Sequence, residues 1–279
     1  MDKEFHFFNP KFGITYEMTS EQHWYASYGI GNREPVRDDF IDSSTGNSPK
    51  HETLRNIEAG WRFRKNNVSL NLNYYRMDYR NQLVPTGKLN DVGAIVRTNV
   101  GESYRAGLEL EGSIRFNAKI TWNANLTVSK NKIKNFNEVI YNYGINFDEF
   151  NEEVNKYNNT DISFSPDMIA GSGLMYKPFK NLELSVLTKY VAKQFLDNTS
   201  NSNRSIDSYF INDLRFSYTA KPSFMKEISL SILANNIFDV KYSSNGYTYG
   251  YRGGSAEYRQ NFYYPQAGRN YLLMLSVRL

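Results

Sequence analysis

Hydrophobic and polar residues alternate in eleven separate stretches of this chain. In the clearest stretch, residues 120–128, every second position is apolar and the intervening positions are Thr or Asn. Successive side chains of a β-strand point to opposite faces of the sheet, so this alternation predicts a strand with one apolar and one polar face. The eleven predicted strands cover residues 12–18, 24–30, 57–63, 68–74, 104–116, 120–128, 168–176, 182–190, 210–218, 228–236 and 271–279.

The apolar faces of the predicted strands contain no charged residue. Asp, Glu, Lys and Arg make up 22% of the chain, yet none of them occupies an apolar-face position in any of the eleven stretches. A lipid bilayer enforces this exclusion, because a Lys or Arg in the middle of a barrel wall costs about 2–4 kcal/mol. The opposite faces are rich in Ser, Thr, Asn and Gly with charges of both signs, such as Arg105 and Glu109. This mixture favours the hydrated lumen of a barrel over the exterior of a β-sandwich.

The connections between the predicted strands alternate between short and long. The short ones are 19–22, 64–67, 117–119, 177–181 and 219–227, and the long ones are 31–56, 75–103, 130–167, 191–209 and 237–270. Outer-membrane barrels combine short periplasmic turns with long extracellular loops, whereas compact soluble domains seldom carry several loops beyond about 15 residues. The pattern therefore predicts an all-β fold, the wall of an antiparallel transmembrane β-barrel, with some long segments extending the strands above the membrane.

Composition narrows the possible classes further. No stretch approaches the roughly 18–20 uninterrupted apolar residues of a spanning helix, which argues against a helical membrane protein. The net charge of +4 comes from 33 basic and 29 acidic residues scattered along the chain. Without a basic block, nucleic acid is not an expected partner. The chain has no Cys, so it forms neither disulfides nor thiolate metal sites.

The sequence offers no arrangement of residues for catalysis or for a metal ion. His6, His23 and His51 are far apart, and neither a His-Glu-x-x-His helix nor a Gly-x-Ser-x-Gly turn is present. Some outer-membrane barrels are phospholipases with a His and a Ser adjacent on the lipid face. Here only His51 with Thr53 comes near that pairing, and it lies in a predicted loop. The acidic residues at 148–153 are spaced irregularly, as in a solvated loop. We therefore expect no catalytic residue, no metal site and no cofactor.

Five segments resemble TonB-dependent outer-membrane receptors. They are YASYGIGNREP at 25–35, ETLRNIEAGWRF at 52–63, NVGESYRAGLELEGSIRF at 99–116, LANNIFDVKY at 233–242 and YYPQAGRNYLLMLSVRL at 263–279. The fourth is the most specific, because its Asn-Asn-hydrophobic-Phe-Asp-x-x-Tyr spacing resembles a frequent ending of the family's penultimate strand. The sequence departs from the family at Leu279, since the last strand often ends in Phe. It also shows no counterpart of the family's plug and TonB-contacting segment.

The resemblance implies a barrel of about 22 strands, filled by a plug, that binds a substrate at its extracellular face and imports it with energy relayed by TonB. Residues 1–279 are expected to form the C-terminal portion of that barrel, about 11 of 22 strands, without the plug domain. The odd strand count and the lack of a secretory signal in residues 1–8 lead to the same expectation.

The expected partners follow from this assignment. They are the lipid of a Gram-negative outer membrane, an N-terminal barrel half and plug outside this sequence, and TonB, contacted through that N-terminal region. Eleven strands by themselves would leave two unpaired edges in lipid, where each orphan amide or carbonyl costs several kcal/mol. We expect that they do not insert or function without the other half.

The long loops contain the candidate ligand-binding residues. Arg33 and Arg37 lie in a charge-dense tract suited to an anionic metal chelate, although a solvated, salt-bridged loop has the same composition. The Tyr-rich loop could stack on a catecholate or sugar ring or pack as an ordinary loop. Its candidate residues are Tyr247, Tyr249, Tyr251 and Arg252. We expect the ligand to be an iron–siderophore complex, with glycans and cobalamin as alternatives that share the scaffold.

Two other classes of protein are also compatible with the sequence. The translocator barrel of an autotransporter has a similar size, but it has an even strand count and a helix in its lumen. A soluble β-sandwich binding module would pack two sheets around a shared apolar interior.

Overall fold

A computed structural model describes residues 3–43, 48–90 and 92–279 of the chain. One short helix, α1 (Arg37–Ile41), accompanies sixteen strands. The strands are β1 (Lys11–Thr19), β2 (Gln22–Arg33), β3 (Glu52–Lys65), β4 (Val68–Leu89), β5 (Ile95–Arg115), β6 (Ile120–Asn142), β7 (Asn151–Asp161), β8 (Met168–Phe179), β9 (Leu182–Val191), β10 (Gln194–Phe195), β11 (Ser205–Ile206), β12 (Tyr209–Ala220), β13 (Glu227–Asn235), β14 (Ser243–Gly253), β15 (Ala256–Pro265) and β16 (Asn270–Arg278). None of the described helical residues forms a segment long and apolar enough to span a membrane.

Eleven strands form one continuous antiparallel wall. Their order is β1, β2, β3, β4, β5, β6, β8, β9, β12, β13, β16, and each overlaps one of the eleven strands predicted from alternation. Apolar residues face each other across the ladder, as at Leu110 opposite Leu126 and Leu230 opposite Leu275. Within the described residues, β1 pairs only with β2 and β16 only with β13, so the sheet is open at both edges. The predicted fold class, an all-β, antiparallel, partial barrel, is confirmed.

The apolar face of the wall is not covered by a second sheet. Side chains predicted to meet lipid are exposed along the whole wall, from Phe12 on β1 through Leu108 on β5 to Leu273 on β16. In a β-sandwich these side chains would be buried between two packed sheets. Their exposure on an all-antiparallel wall is the arrangement of a barrel exterior.

The two ends of the wall differ as the connection lengths predict. Short turns at 20–21, 66–67, 116–119, 180–181 and 221–226 lie at one end. The long connections at the other end carry α1, β7, β10, β11, β14 and β15. Most of residues 75–103, predicted as a connection, instead continue β4 and β5. The Asn90 amide donates to the Ala94 carbonyl at 2.8 Å where the two strands meet. Asn81, with φ of +52°, interrupts the regular strand in this upper part.

The buried hydrophobic core lies at the long-loop end. Its cluster joins the upper parts of three wall strands to the segment that follows β7, through Val84, Val100, Ile133, Phe136 and Ile162. All five side chains are almost completely buried. Burial of apolar area here holds the segment that follows β7 against the upper parts of β4, β5 and β6.

Candidate ligand-binding surface

The β14–β15 hairpin crosses the long-loop end of the wall. It lies between β13 and β16 in the chain, but its far end pairs in parallel with β6, at Tyr251 opposite Tyr141 and Arg252 opposite Asn142. Because β6 is five positions from β16 in the order of the wall, the hairpin spans the mouth of the open barrel.

One face of the hairpin is aromatic. Alternate positions of β14 place Tyr247, Tyr249 and Tyr251 on the same side, and β15 adds Tyr258 and Phe262 opposite them. The rings of Tyr247 and Phe262 stack with centroids 4.7 Å apart, and those of Tyr251 and Tyr258 with centroids 5.2 Å apart. Stacked rings in a strand pair form a flat surface that a planar ligand can contact.

The turn between β6 and β7 extends this aromatic surface. Tyr143 meets Tyr251 edge to face with centroids 5.6 Å apart, and Phe147 lies 6.2 Å from Tyr258. Tyr249 and Tyr258 remain 45% exposed. Partial burial and the neighbouring Tyr143 raise the pKa of Tyr249, so its phenol is protonated at neutral pH and can donate a hydrogen bond.

The opposite face of the hairpin is ionic and meets buried charges of β6 and of the connection between β9 and β12. Arg204, in the connection between β9 and β12, donates from Nη1 to Glu138 of β6 at 2.7 Å and to Asp197 at 2.9 Å. Arg259 of β15 donates to the same Glu138 oxygen at 2.9 Å and to Glu257 at 3.1 Å. Burial alone lowers the pKa of Arg204, but Asp197 and Glu138 outweigh it and raise the pKa. Arg204 is therefore a fixed positive charge that joins three segments of the chain.

The structure distributes the predicted site residues over two places. Tyr247, Tyr249, Tyr251 and Arg252 lie together on β14. Arg33 and Arg37 lie elsewhere, at the end of β2 and at the first residue of α1.

The predicted arginines differ in their ionic partners. Arg33 pairs with Glu52 at 2.8 Å, and Arg252 pairs with Glu153 and, at 3.5 Å, with Glu257. Arg37 is exposed to solvent.

Sequence reasoning missed the ionic residues behind the aromatic face. Arg204 and Glu138 are 66 residues apart in the chain, and Arg97 of β5 forms a two-point contact with buried Asp39 of α1 at 2.8 and 2.7 Å. No periodic pattern marks such pairs. The Tyr residues at every second position from 247 to 251 did carry a signal, because that spacing is typical of a strand.

The structure also places His51 and Thr53, the candidate hydrolytic pair, and shows what each of them contacts. His51 packs against the ring of Phe7 with centroids 5.3 Å apart, and Thr53 donates to Asn32 at 2.7 Å, so the two do not form a hydrolytic pair. Among the described residues, no group of three or more His, Asp or Glu side chains is arranged to hold a metal ion.

Comparison with known proteins decides the family. Residues 2–237 match the family model described as TonB dependent receptor-like, beta-barrel. The chain belongs to the TonB-dependent receptors. This assignment confirms the resemblance carried by the sequence motifs and takes the place of the autotransporter alternative. The known members of this family are transporters rather than enzymes. The comparison with curated sequences found no match.

Solved structures of similar fold belong to the same family of receptors. The siderophore receptor PiuA from Acinetobacter baumannii aligns with a TM-score of 0.69 and 20% identity, over 96% of this chain and 35% of its own. The ferric-catecholate import receptor Fiu from E. coli K12 aligns with a TM-score of 0.67 and 17% identity, over 96% and 34%. The copper transporter OprC aligns with a TM-score of 0.65 and 16% identity, over 93% and 37%. This chain therefore spans about a third of the length of the receptors it resembles.

Proposed function

We propose that this chain supplies barrel wall and extracellular ligand-binding surface to a receptor that imports a scarce nutrient across a Gram-negative outer membrane with energy from TonB. The observation that carries the proposal is the eleven-stranded wall, whose exposed face is free of charge over the eleven stretches predicted from alternation, combined with membership of the receptor family. Outer-membrane lipid is the partner of that face. The plug and the TonB contact are proposed to come from outside residues 1–279.

The ligand that we propose is an iron–siderophore complex bearing aromatic rings. Two of the similar structures are described as siderophore and ferric-catecholate receptors, whereas a third is a copper transporter, so the fold alone does not select the ligand. The aromatic surface supports ring stacking and hydrogen bonds from phenols. Arg252 is neutralised by carboxylates, so contact with the ligand at this surface depends on the rings more than on charge. Arg37 is the exposed cation available to an anionic chelate.

Glycan and cobalamin uptake is the alternative that the same surface supports. A sugar ring also stacks on exposed Tyr side chains, and the OH groups of Tyr249 and Tyr258 could hydrogen-bond to its hydroxyls. The two proposals differ in the probe that binds, so a binding experiment separates them.

Uptake by whole cells tests the proposed function. Cells that display the receptor are given a radioactive ferric–catecholate complex, labelled cobalamin or a labelled oligosaccharide, with and without functional TonB. The proposal predicts binding of the ferric complex in both strains and import only with TonB. Binding of another probe instead would change the ligand class, and no TonB-dependent uptake of any probe would contradict the receptor function.

Substitutions in the same uptake assay test whether the aromatic surface binds the ligand. Tyr249→Ala and Tyr258→Ala are expected to weaken binding about tenfold each, since base- or ring-stacking on an aromatic side chain contributes roughly 1–3 kcal/mol. Tyr218→Ala is the matched control, because Tyr218 is exposed on the lipid face of β12. Equal binding by all three variants would remove the aromatic surface from the proposal.

A further inference from the structure

Three ion pairs fasten the β14–β15 hairpin, hereafter the strap, to the rest of the protein. Arg259 of the strap reaches Glu138 of β6 at 2.9 Å, and Glu257 of the strap accepts from Arg204 at 3.3 Å. The third pair joins Arg252 of the strap to Glu153 of β7. We refer to these as the crossing pairs.

The buried charges on each side keep ionic partners when the crossing pairs are removed, whereas Glu153 is partly exposed and returns to solvent. In the strap, Glu257 still lies 3.5 Å from Arg252 and 3.1 Å from Arg259. On the wall side, Arg204 still contacts Glu138 at 2.7 Å and Asp197 at 2.9 Å. A buried charge left without a partner is costly, and this division avoids that cost. The ionic network can therefore separate along the line between strap and wall.

The two halves attract each other by net charge. The strap half holds two arginines and one carboxylate, and the wall half holds Arg204 with three carboxylates. A net positive strap lies on a net negative wall. This attraction weakens as salt screens the charges, and most strongly at the exposed pair of Arg252 with Glu153.

A cavity lies beneath the strap. It measures about 170 Å³, and the strap contributes Thr248, Gly250 and Arg259 to its lining, opposite Phe136 and Ile140 of β6. Thr248 is only 2% exposed because the strap holds it against the wall. The cavity is partly open to solvent, and lifting the strap would widen its opening.

We propose that the strap is an electrostatically held cover of the mouth, which lifts from β6 and β7 by parting the crossing pairs and so widens access to the cavity beneath it. Its far end is the part that releases. There it is held by Arg252 with Glu153, by the two-residue parallel bridge to β6, and by backbone hydrogen bonds from the Tyr143 amide to the Arg252 carbonyl at 2.9 Å and from the Gly254 amide to the Gly144 carbonyl at 2.8 Å. The ring contacts of Tyr143 with Tyr251 and of Phe147 with Tyr258 also part when it lifts. Its near end stays attached through Tyr263, which donates to the carbonyl of Ser205 at 3.1 Å. This device rests on the proposed extracellular position of the long-loop end.

Cysteine labelling of the receptor in its own outer membrane tests the cover directly, because residues 1–279 contain no Cys and the receptor without an introduced Cys gives the background. Thr248→Cys places a thiol under the strap, and its reaction with a membrane-impermeant maleimide reports lifting. Glu153→Gln removes one crossing pair, and we expect it to accelerate labelling about threefold, the effect of one exposed ion pair. Salt of about 1 M, which shortens the screening length to about 3 Å, should accelerate it further. Asp148→Asn, the same charge change at an exposed residue of the neighbouring turn, should leave the rate unchanged.

Two further cysteine designs test the extracellular position of the strap and replace Thr248→Cys if that variant does not assemble. Ser255→Cys, exposed in the turn of the strap, should react in intact cells in every background. Failure of that reaction would contradict the extracellular position and with it the proposed function, independently of any motion. If Thr248→Cys does not assemble, the pair Tyr141→Cys and Tyr251→Cys, which face each other across the bridge, should form a disulfide more slowly with Glu153→Gln than with Asp148→Asn. Labelling or cross-linking that is indifferent to Glu153→Gln and to salt would overturn the cover.

Discussion

Arg204 and Glu138 form a buried ion pair of 2.7 Å between the connection that precedes β12 and the wall strand β6. The side chain of Arg204 is 8% exposed, and Asp197 accepts from the same Nη1 atom at 2.9 Å. The pair connects the ionic face of the hairpin to the wall. It shows that the long-loop end is held together by specific charges as well as by the apolar cluster around Phe136.

Removing Arg204 should loosen this region strongly. Arg204→Gln leaves Asp197 without a cation and Glu138 with Arg259 alone, and breaking a buried pair in this way typically costs about 3–5 kcal/mol. Hydrogen exchange of the backbone amides of residues 194–206 measures the loss as a lower free energy of local opening. Lys156→Gln, at an exposed residue of β7, is the control and should change it by less than about 0.5 kcal/mol. Equal protection in both variants would show that Arg204 carries no structural role.

The Tyr25 side chain packs against Gly60 so closely that a larger residue at position 60 would collide with it. A Cβ added at Gly60 would lie 2.4 Å from the Tyr25 ring and 2.6 Å from the Leu72 carbonyl oxygen, and Tyr25 donates to Asn73 at 2.9 Å across that glycine. Gly60→Ala should therefore destabilise the wall by about 1–3 kcal/mol. Gly31→Ala, with nothing within 4 Å of the added Cβ, is the matched control. Thermal unfolding in detergent checks the pair, and equal midpoints would refute the packing argument.

Charge on the outer face of the wall should block assembly, while charge on the inner face should not. Leu126→Arg puts a guanidinium into lipid at a cost of about 2–4 kcal/mol, whereas Thr127→Arg points the same group into the hydrated interior. We expect Leu126→Arg to lower the amount of folded protein in outer-membrane fractions severalfold relative to Thr127→Arg. A lower amount of folded protein for Thr127→Arg than for Leu126→Arg would contradict the assignment of the outer face to lipid.

Across the pH range, the contact between β7 and the strap should weaken on the acid side. The hydrogen bond from Asn142, followed by the contact with Arg252, lowers the pKa of Glu153. A carboxyl whose pKa is depressed in the folded state stabilises that state above its unfolded value and loses this contribution as pH falls through the folded value. Proteolysis at the strap turn should thus rise below pH about 4, near and under the ordinary Glu value. Glu153→Gln should show no such rise, and an identical acid response in that variant would contradict this origin.

Much of the wall could be predicted from sequence because lipid and water impose a period of two. The stretch from Ile120 to Val128 shows the reason: each outer position must be apolar and each inner one tolerates Thr or Asn. Above the membrane this constraint ends. Arg204, Glu138 and Arg97 are chosen by partners that are distant in the chain, and the continuation of β4 beyond Asn81 follows from packing in the upper core. Local patterns carry no information about such contacts.

The location of the apolar face in lipid is the claim on which the proposed function depends, and the three tryptophans of residues 1–279 measure it in the assembled receptor once any tryptophan outside these residues is replaced by Phe. Trp24, Trp61 and Trp122 lie on that face, with the Trp24 and Trp61 rings 6.2 Å apart on neighbouring strands. In vesicles whose acyl chains carry bromine, their fluorescence should be strongly quenched, and iodide in the aqueous phase should have little effect. Quenching by iodide and not by the brominated lipid would contradict the account.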